Sequence, residues 1–205
     1  TPIPPTSTPT QRMRPARHVR PAHRVQSGQT IRSAQFLTPT KTAPWHLRIP
    51  AIDLTAPVVG AELTTENAQS GTPVFTWTVP DYAAAGWHMT SAPPGESGNT
   101  VLNGHNNIKG EVFRDLVDVQ TGDRVILDAT GNRHEYLITD RHIVREAGAS
   151  LETRIDNARW VAATADERLT LVTCWPPTGD SHRLIVIARP IQSPVKPLST
   201  LPTIR

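Results

Sequence analysis

The chain has 205 residues with 21 Lys and Arg, 18 Asp and Glu, and a single cysteine. This length suits one domain of ordinary size with tails, because about 150 residues can bury most of their apolar surface. One cysteine excludes an internal disulfide. No run approaches the ~20 apolar residues of a membrane-spanning helix, and neither metal-ligand spacings nor Gly-rich phosphate loops occur, so no metal or other cofactor is expected.

The basic charge is concentrated at the N-terminus. Residues 1–44 contain seven Lys or Arg, no Asp or Glu, and eight of the 20 prolines, which predicts a disordered basic Pro-rich linker. Such a charge fits nucleic acid, an acidic bacterial wall or a membrane surface, and equally a solvated spacer. Residues 45–190 carry 12 basic and 18 acidic side chains and form the predicted folded domain. Residues 191–205 are expected to be a flexible C-terminal tail.

The folded domain is predicted to be mainly β. Short runs rich in Val, Ile, Leu, Thr and Tyr, bounded by Gly, Pro, Asn and Asp, predict six strands: Trp45 to Ile52, Asn99 to Leu102, Arg124 to Asp128, His134 to Thr139, Arg168 to Thr173 and Arg183 to Ala188. Gly131 marks a hairpin between the third and fourth of these strands. Short helices are predicted around Phe113 to Val117 and over Asp156 to Ala163. Many strands and few helices favour a closed or nearly closed β-barrel.

The second predicted strand leads to a candidate imidazole. His105 follows Gly104, which permits close backbone approach, after the apolar run that ends at Leu102. Seven other histidines compete with it, and His182 is the main rival because it is near the cysteine in sequence. If the last two strands form a hairpin, His182 and Arg183 point to opposite faces and cannot both face the thiol.

Cys174 ends the fifth predicted strand, and Arg183 begins the sixth. Two prolines follow Trp175, so the strand should end there and expose the sulfur. A nucleophilic thiol needs a nearby cation or base, which Arg183 and His105 can supply. Considered alone, a cysteine is more often a small buried hydrophobe, and an arginine in such a position is more often a surface residue paired with a neighbour such as Asp180.

Several separately spaced motifs together resemble the sortase family of bacterial cell-surface transpeptidases. They run in the order Gly104-His105, Phe113 to Leu116, Thr121 to Asp123, Leu169 to Pro176 and Arg183 to Val186. Supporting segments are Ile49 to Val58 and Pro94 to Asn99. The resemblance spans roughly residues 45 to 190, and it implies an eight-stranded β-barrel.

The resemblance also implies a reaction. Cys174 attacks the carbonyl of a threonine-like residue in an LPxTG-like sorting-signal peptide, Arg183 stabilises the oxyanion, and His105 protonates the departing amine. An amine of a peptidoglycan precursor or a pilin lysine then resolves the thioester. The implied partners are therefore this peptide and this amine, not nucleic acid. Thr173 and Trp175 are supporting candidates for substrate binding, with buried packing the commoner role for a tryptophan.

The implied location is extracytoplasmic, at the cell surface. Because the chain begins at Thr1 without an initiator methionine, we expect a membrane anchor in an upstream segment.

The residues also leave two alternative functions. One is a peptidoglycan cross-linking transpeptidase, whose expected Ser/Thr-x-Gly-Cys motif is missing before Cys174. The other is a non-catalytic wall-associated β-module, which all three filled catalytic positions argue against.

Overall fold

A computed structural model describes residues 45–67 and 73–191 of the chain. The predicted linker, 1–44, and the predicted tail apart from Ile191 lie outside the described residues. The described residues form ten strands: β1 Trp45–Ile49, β2 Leu54–Ala61, β3 Leu63–Asn67, β4 Pro73–Trp77, β5 Ala85–His88, β6 Asn99–Asn103, β7 Arg124–Ala129, β8 Asn132–Arg145, β9 Arg168–Trp175 and β10 His182–Pro190. In the same residues an α-helix, α1, covers Leu151–Ala158, and 3₁₀ turns cover Pro50–Ile52 and Arg114–Asp118.

Eight strands close into a barrel in the order β1-β2-β5-β6-β9-β10-β8-β7, which confirms the predicted fold class. The pairs β2–β5 and β6–β9 are parallel, and the other neighbours are antiparallel. Strands β3 and β4 form a separate hairpin. Parallel pairs need long connections, here from β2 to β5 and from β6 to β9, and the second of these contains the segments after β6 and before β9 that border the site.

The barrel interior is filled by alternate side chains from every barrel strand. These buried residues are Leu47, Ile49, Val58, Ala85, Leu102, Val125, Leu127, Ala129, Tyr136, Ile138, Leu169, Leu171, Leu184, Val186 and Ala188, with Phe113, Leu116 and Val119 from the segment between β6 and β7. Because side chains alternate between faces along a strand, Val172 and Cys174 of β9 lie on the outer face. The core fixes which residues are available to a ligand.

The sequence-based elements were largely found, with differences in extent. The hairpin at Gly131 is confirmed, with φ of 54° at Thr130 and 82° at Gly131. The first predicted strand stops at Ile49 because Pro50 opens a 3₁₀ turn and Asp53 adopts a φ of 49°. Strand β8 is longer than predicted because it pairs with β7 on one side and β10 on the other.

The second helix prediction was wrong in position. The helix begins after Ser150, whose Oγ accepts a hydrogen bond of 3.1 Å from the backbone N–H of Thr153, and ends at Ala158 instead of continuing to Ala163. This side-chain cap fixes the start of the helix. The sequence analysis also missed the four strands β2 to β5. Within β2 and β5, Ala, Gly and Pro have low strand propensity.

Candidate active site

Two of the predicted catalytic residues, Cys174 and Arg183, lie on neighbouring strands, and His105 lies just past the end of a third strand. Arg183 of β10 is directly opposite Cys174 of β9, so the two side chains share one face of the sheet. On the other side of β9, the parallel pairing with β6 reaches Asn103 opposite Val172. The Gly104 N–H donates to the Val172 carbonyl at 3.2 Å and continues this pairing. His105 follows Gly104 directly, so it lies just past the end of β6 and beside the end of β9.

His182 lies on the opposite face from this set. Its partner across the hairpin is Trp175, not Cys174, and its Nδ1 lies 2.8 Å from Ser181 Oγ. The alternation that the sequence predicted therefore separates His182 from Cys174. His182 lies on the face opposite to the thiol, whereas His105 lies in the turn beside the end of β9.

The turn that carries His105 is fastened to the end of β9. Asn106 is 2% exposed, and its Nδ2 donates to the Cys174 carbonyl oxygen at 2.7 Å. Thr173 Oγ1 donates to the Gly104 carbonyl oxygen at 2.7 Å, and Asn107 donates to the carbonyl oxygen of Pro177. These bonds fix the position of His105 relative to Cys174. The sequence analysis did not identify either asparagine.

Gly104 has a steric reason to be glycine. A Cβ atom there would lie 2.5 Å from Val112 Cγ1 and 2.8 Å from Phe113 Cδ2. The Phe113 N–H also donates to the His105 carbonyl oxygen at 2.9 Å, so this segment is packed directly against the histidine turn. The close approach predicted from Gly104 is therefore present.

The surroundings of His105 favour its neutral form. Its pKa is lowered from 6.5, first by burial and then by the positive charge of Lys109. Both effects disfavour the imidazolium, because burial removes water from the charged ring and a nearby cation repels it. At neutral pH the free imidazole is consequently able to accept a proton.

Arg183 is held by backbone carbonyl groups. Its NH1 donates to the carbonyl oxygens of Asp180 at 3.0 Å and His182 at 3.2 Å. Among residues 45–67 and 73–191, no carboxylate forms an ion pair with this guanidinium. The pairing with the Asp180 carboxylate considered from the sequence is therefore absent from the described residues. The positive charge remains available to an anionic group beside Cys174.

Thr173 and Trp175 lie on the other face from Cys174. Thr173 is 3% exposed and its hydroxyl is engaged with Gly104, while Trp175 packs against the barrel core. Their observed side-chain contacts are structural, and substrate contact by either residue remains a prediction. In the described part of the chain, no three His, Cys, Asp or Glu residues form a group that could hold a metal ion.

A segment between β8 and β9 covers part of the same outer face. We call residues 150–167, comprising α1 and the stretch that follows it, the outer wall. Trp160 of the wall stacks on His142 of β8 with ring centroids 4.1 Å apart. His142 is opposite Ile185, which is two residues along β10 from Arg183. The wall therefore contacts the outer face about 7 Å from Arg183, at ~3.3 Å per residue.

A cavity of about 310 Å³ lies at the start of β6. Trp77, His88, Asn99 and Val161 are among the residues that line it. The His88 ring stacks on Trp77 with centroids 4.1 Å apart, and burial lowers the pKa of His88 to about 4. Asn99 places this cavity at the start of β6, whereas the His105 turn follows the end of that strand.

The described residues contain no helix that is long and apolar enough to cross a membrane.

Comparison with known proteins gives one consistent family. The sequence profile described as sortase domain matches residues 47–191. Sortase A from Listeria monocytogenes is 32% identical over 91 residues, which are 44% of this chain and 37% of that protein. Sortase A from Bacillus anthracis is 29% identical over 141 residues, which are 68% of this chain and 56% of that protein. The chain thus matches between about a third and just over half of the length of these curated relatives.

Solved structures agree on the fold. Sortase A from Corynebacterium diphtheriae in a lid-mutant form aligns with a TM-score of 0.54 and 23% identity, covering 75% of this chain and 73% of that one. A sortase D5 transpeptidase from Clostridium perfringens aligns with a TM-score of 0.52 and 22% identity, covering 73% and 79%. At these identities the likeness concerns the barrel alone.

Proposed function

Because the chain belongs to the sortase family of cell-surface cysteine transpeptidases, we propose that it cleaves a sorting-signal peptide and transfers the acyl part to an amine. The single observation that carries this proposal is the convergence of three groups at the end of β9: Cys174, Arg183 directly opposite it on β10, and the His105 turn that is bonded to β9. A thiol, a neutral imidazole and an arginine without a carboxylate partner among the described residues are the groups that acyl transfer through a thioester requires.

The first step forms the thioester. Cys174 Sγ attacks the carbonyl carbon of a threonine-like residue while the neutral imidazole of His105 takes the thiol proton. Arg183 donates to the oxyanion that develops, for which a planar guanidinium fork is suited. When the tetrahedral intermediate collapses, the C–N bond breaks and the His105 imidazolium gives its proton to the leaving amine. The lowered pKa of His105 assists this donation, since it makes the imidazolium a stronger acid.

The second step remakes an amide. An acceptor amine attacks the thioester carbonyl and His105 takes the amine proton. The C–S bond then breaks, and the departing Cys174 thiolate takes this proton from the His105 imidazolium. Water in place of the amine gives slow hydrolysis. We propose an LPxTG-like motif for the donor peptide and an amine of a peptidoglycan precursor or a pilin lysine for the acceptor. The proposed location is the extracytoplasmic surface, with a membrane anchor outside this chain and residues 1–44 as the linker.

Product analysis tests the proposal and separates it from its rivals. The full chain is incubated with an LPxTG peptide and a glycine-based amine, and with a scrambled-motif peptide as the matched control. We expect a new amide between the acyl part and the amine, formed only from the LPxTG peptide. Joining of peptidoglycan stem peptides that lack the motif would support the cross-linking alternative and contradict the proposal. Absence of any product with both substrate classes would support a non-catalytic module instead.

A further inference from the structure

The outer wall is attached to the barrel by a buried side-chain network at its C-terminal half. Asn99, at the start of β6, donates through Nδ2 to the carbonyl oxygens of Trp160 at 3.1 Å and Ala162 at 2.9 Å. Its Oδ1 accepts a hydrogen bond of 2.7 Å from Thr170 Oγ1. Both hydrogens of the amide group are therefore used to hold the wall, and its oxygen is held by the neighbouring strand.

Arg168 completes this network. Its NH2 donates to the Trp160 carbonyl oxygen at 2.7 Å, so three side chains converge on one backbone oxygen, with Thr170 Oγ1 at 3.4 Å. Asn99 is 2% exposed, Thr170 is 0% exposed and Arg168 is 8% exposed. Burial disfavours a charge, and the pKa of Arg168 is lowered by burial and by Arg189. A buried cation directed at a loop carbonyl indicates that this attachment is a specific feature of the barrel.

The network holds wall residues that lie against the outer face of the barrel. The backbone of Trp160 is held by the network, while its ring stacks on His142 in the outer-face row next to Arg183. Val161 and Asn99 themselves line the cavity at the start of β6. Loss of the network would release the wall from the outer face. It would not change the contacts of Cys174, which lies four residues along β9 from Thr170.

We propose that Asn99, supported by Thr170 and Arg168, is a positioning residue that keeps the outer wall in place. The surface between the wall and the pair Cys174 and Arg183, which we call the peptide groove, then exists before substrate arrives. This inference rests on the proposed peptide substrate. A groove that is already formed avoids the entropic cost of ordering a loop on binding. Asn99 therefore acts on peptide binding through the wall and not on the reacting atoms.

The test uses two variants in the full chain. Asn99→Asp keeps the size of the side chain but replaces the amide donor by an acceptor facing two carbonyl oxygens. Thr170→Val keeps the shape and removes only the hydroxyl, with its bonds to Asn99 and to the Trp160 carbonyl oxygen. Thr121→Val is the matched control, because it also removes one threonine hydroxyl bond, of 3.3 Å to the Thr139 carbonyl oxygen, and neither residue belongs to the wall or to the network. If Asn99→Asp does not fold, Thr170→Val still decides the question.

Peptide kinetics are the first measurement. We expect KM for the sorting peptide to rise about 10- to 100-fold in Asn99→Asp and about 3- to 10-fold in Thr170→Val. We expect kcat and the rate of Cys174 alkylation by iodoacetamide to stay within about threefold. Thr121→Val should leave KM unchanged. A fall in kcat and alkylation with unchanged KM would overturn the proposal, because it would mean that the network supports the catalytic residues.

Amide hydrogen exchange is the second measurement, and it does not depend on activity. Exchange across residues 150–165 should accelerate at least tenfold in both Asn99→Asp and Thr170→Val, while β9 and β10 remain protected. Unchanged exchange in the wall would refute the anchor directly. If the wild-type chain forms no acyl product at all, the proposed function fails, and the exchange result still decides whether the network holds the wall.

Discussion

The two ends of β9 differ in how their polar groups are used. At the start of the strand, Arg168 and Thr170 are bonded to a loop carbonyl and to Asn99. At its end, Cys174 is partly exposed, and the neighbouring Arg183 has no carboxylate partner among the described residues. One end holds structure in place and the other leaves its reactive groups available. Substitutions should therefore change binding at the first end and chemistry at the second.

The largest expected effect is at Cys174. Because this is the only sulfur nucleophile in the chain, Cys174→Ala should reduce peptide cleavage at least about 1000-fold and abolish labelling by a thiol reagent. The thermal unfolding midpoint should change little, since the side chain is on the outer face. Cleavage is measured by chromatography of the peptide products. Residual turnover above about a thousandth of wild type would contradict covalent catalysis.

The second effect separates the two histidines near the thiol. His105→Ala should lower kcat/KM by about 100- to 10,000-fold, the usual contribution of a positioned acid–base group. His182→Ala should lower it less than about tenfold, because His182 is opposite Trp175 on the other face. Steady-state cleavage and transpeptidation of both variants provide the measurement. The reverse order of effects would assign the acid–base role to His182.

Arg183 can be tested through geometry. Lysine keeps the charge but offers a single ammonium in place of a planar fork. If Arg183 binds the oxyanion, Arg183→Ala and Arg183→Lys should both lose about 100- to 1000-fold in kcat. A lysine variant close to wild type would instead mean that the charge alone matters. In that case the pH dependence of Cys174 alkylation should shift in the alanine variant.

These predictions concern residues that the sequence itself identifies. The end of a strand is a local signal in the sequence. An apolar run that is followed by Gly104, or by the two prolines after Trp175, predicts where the strand ends. His105 and Cys174 could therefore be chosen as candidates without coordinates. The roles of Asn99 and Asn106 could not. Each depends on a partner 61 to 68 residues away in the chain, and only the closed barrel brings those partners together. Alternation along the strand predicts faces, but not which loop covers them.

The smallest expected effect is on stability at low pH. Burial lowers the pKa of His88 from 6.5 to about 4, so between these values the unfolded chain binds a proton that the folded chain does not. The contribution of this site is complete above pH 6.5 and is lost as the pH falls towards 4. At about 1.4 kcal/mol per pH unit, the free energy of unfolding should fall by about 2–3 kcal/mol between pH 7 and pH 4.5 from this residue.

Urea unfolding at the two pH values measures this loss. His88→Gln should remove most of the dependence, whereas His46→Gln, which alters an exposed histidine of β1, should retain it. Equal pH dependence in wild type and His88→Gln would show that His88 is not the group responsible. At neutral pH, His88→Gln should keep its activity and His105→Ala should not, because His88 is not one of the three proposed catalytic residues.

Intact mass spectrometry of the enzyme during turnover tests the central claim most directly. An LPxTG peptide is added without an acceptor amine, and the reaction is quenched in acid to preserve a thioester. The wild-type chain should gain the mass of the acyl part of the peptide, and this adduct should disappear when an amine is added before quenching. Cys174→Ala should show no adduct. Product formation by the wild-type chain without any adduct on trapping, or an adduct that persists in Cys174→Ala, would contradict acyl transfer through Cys174.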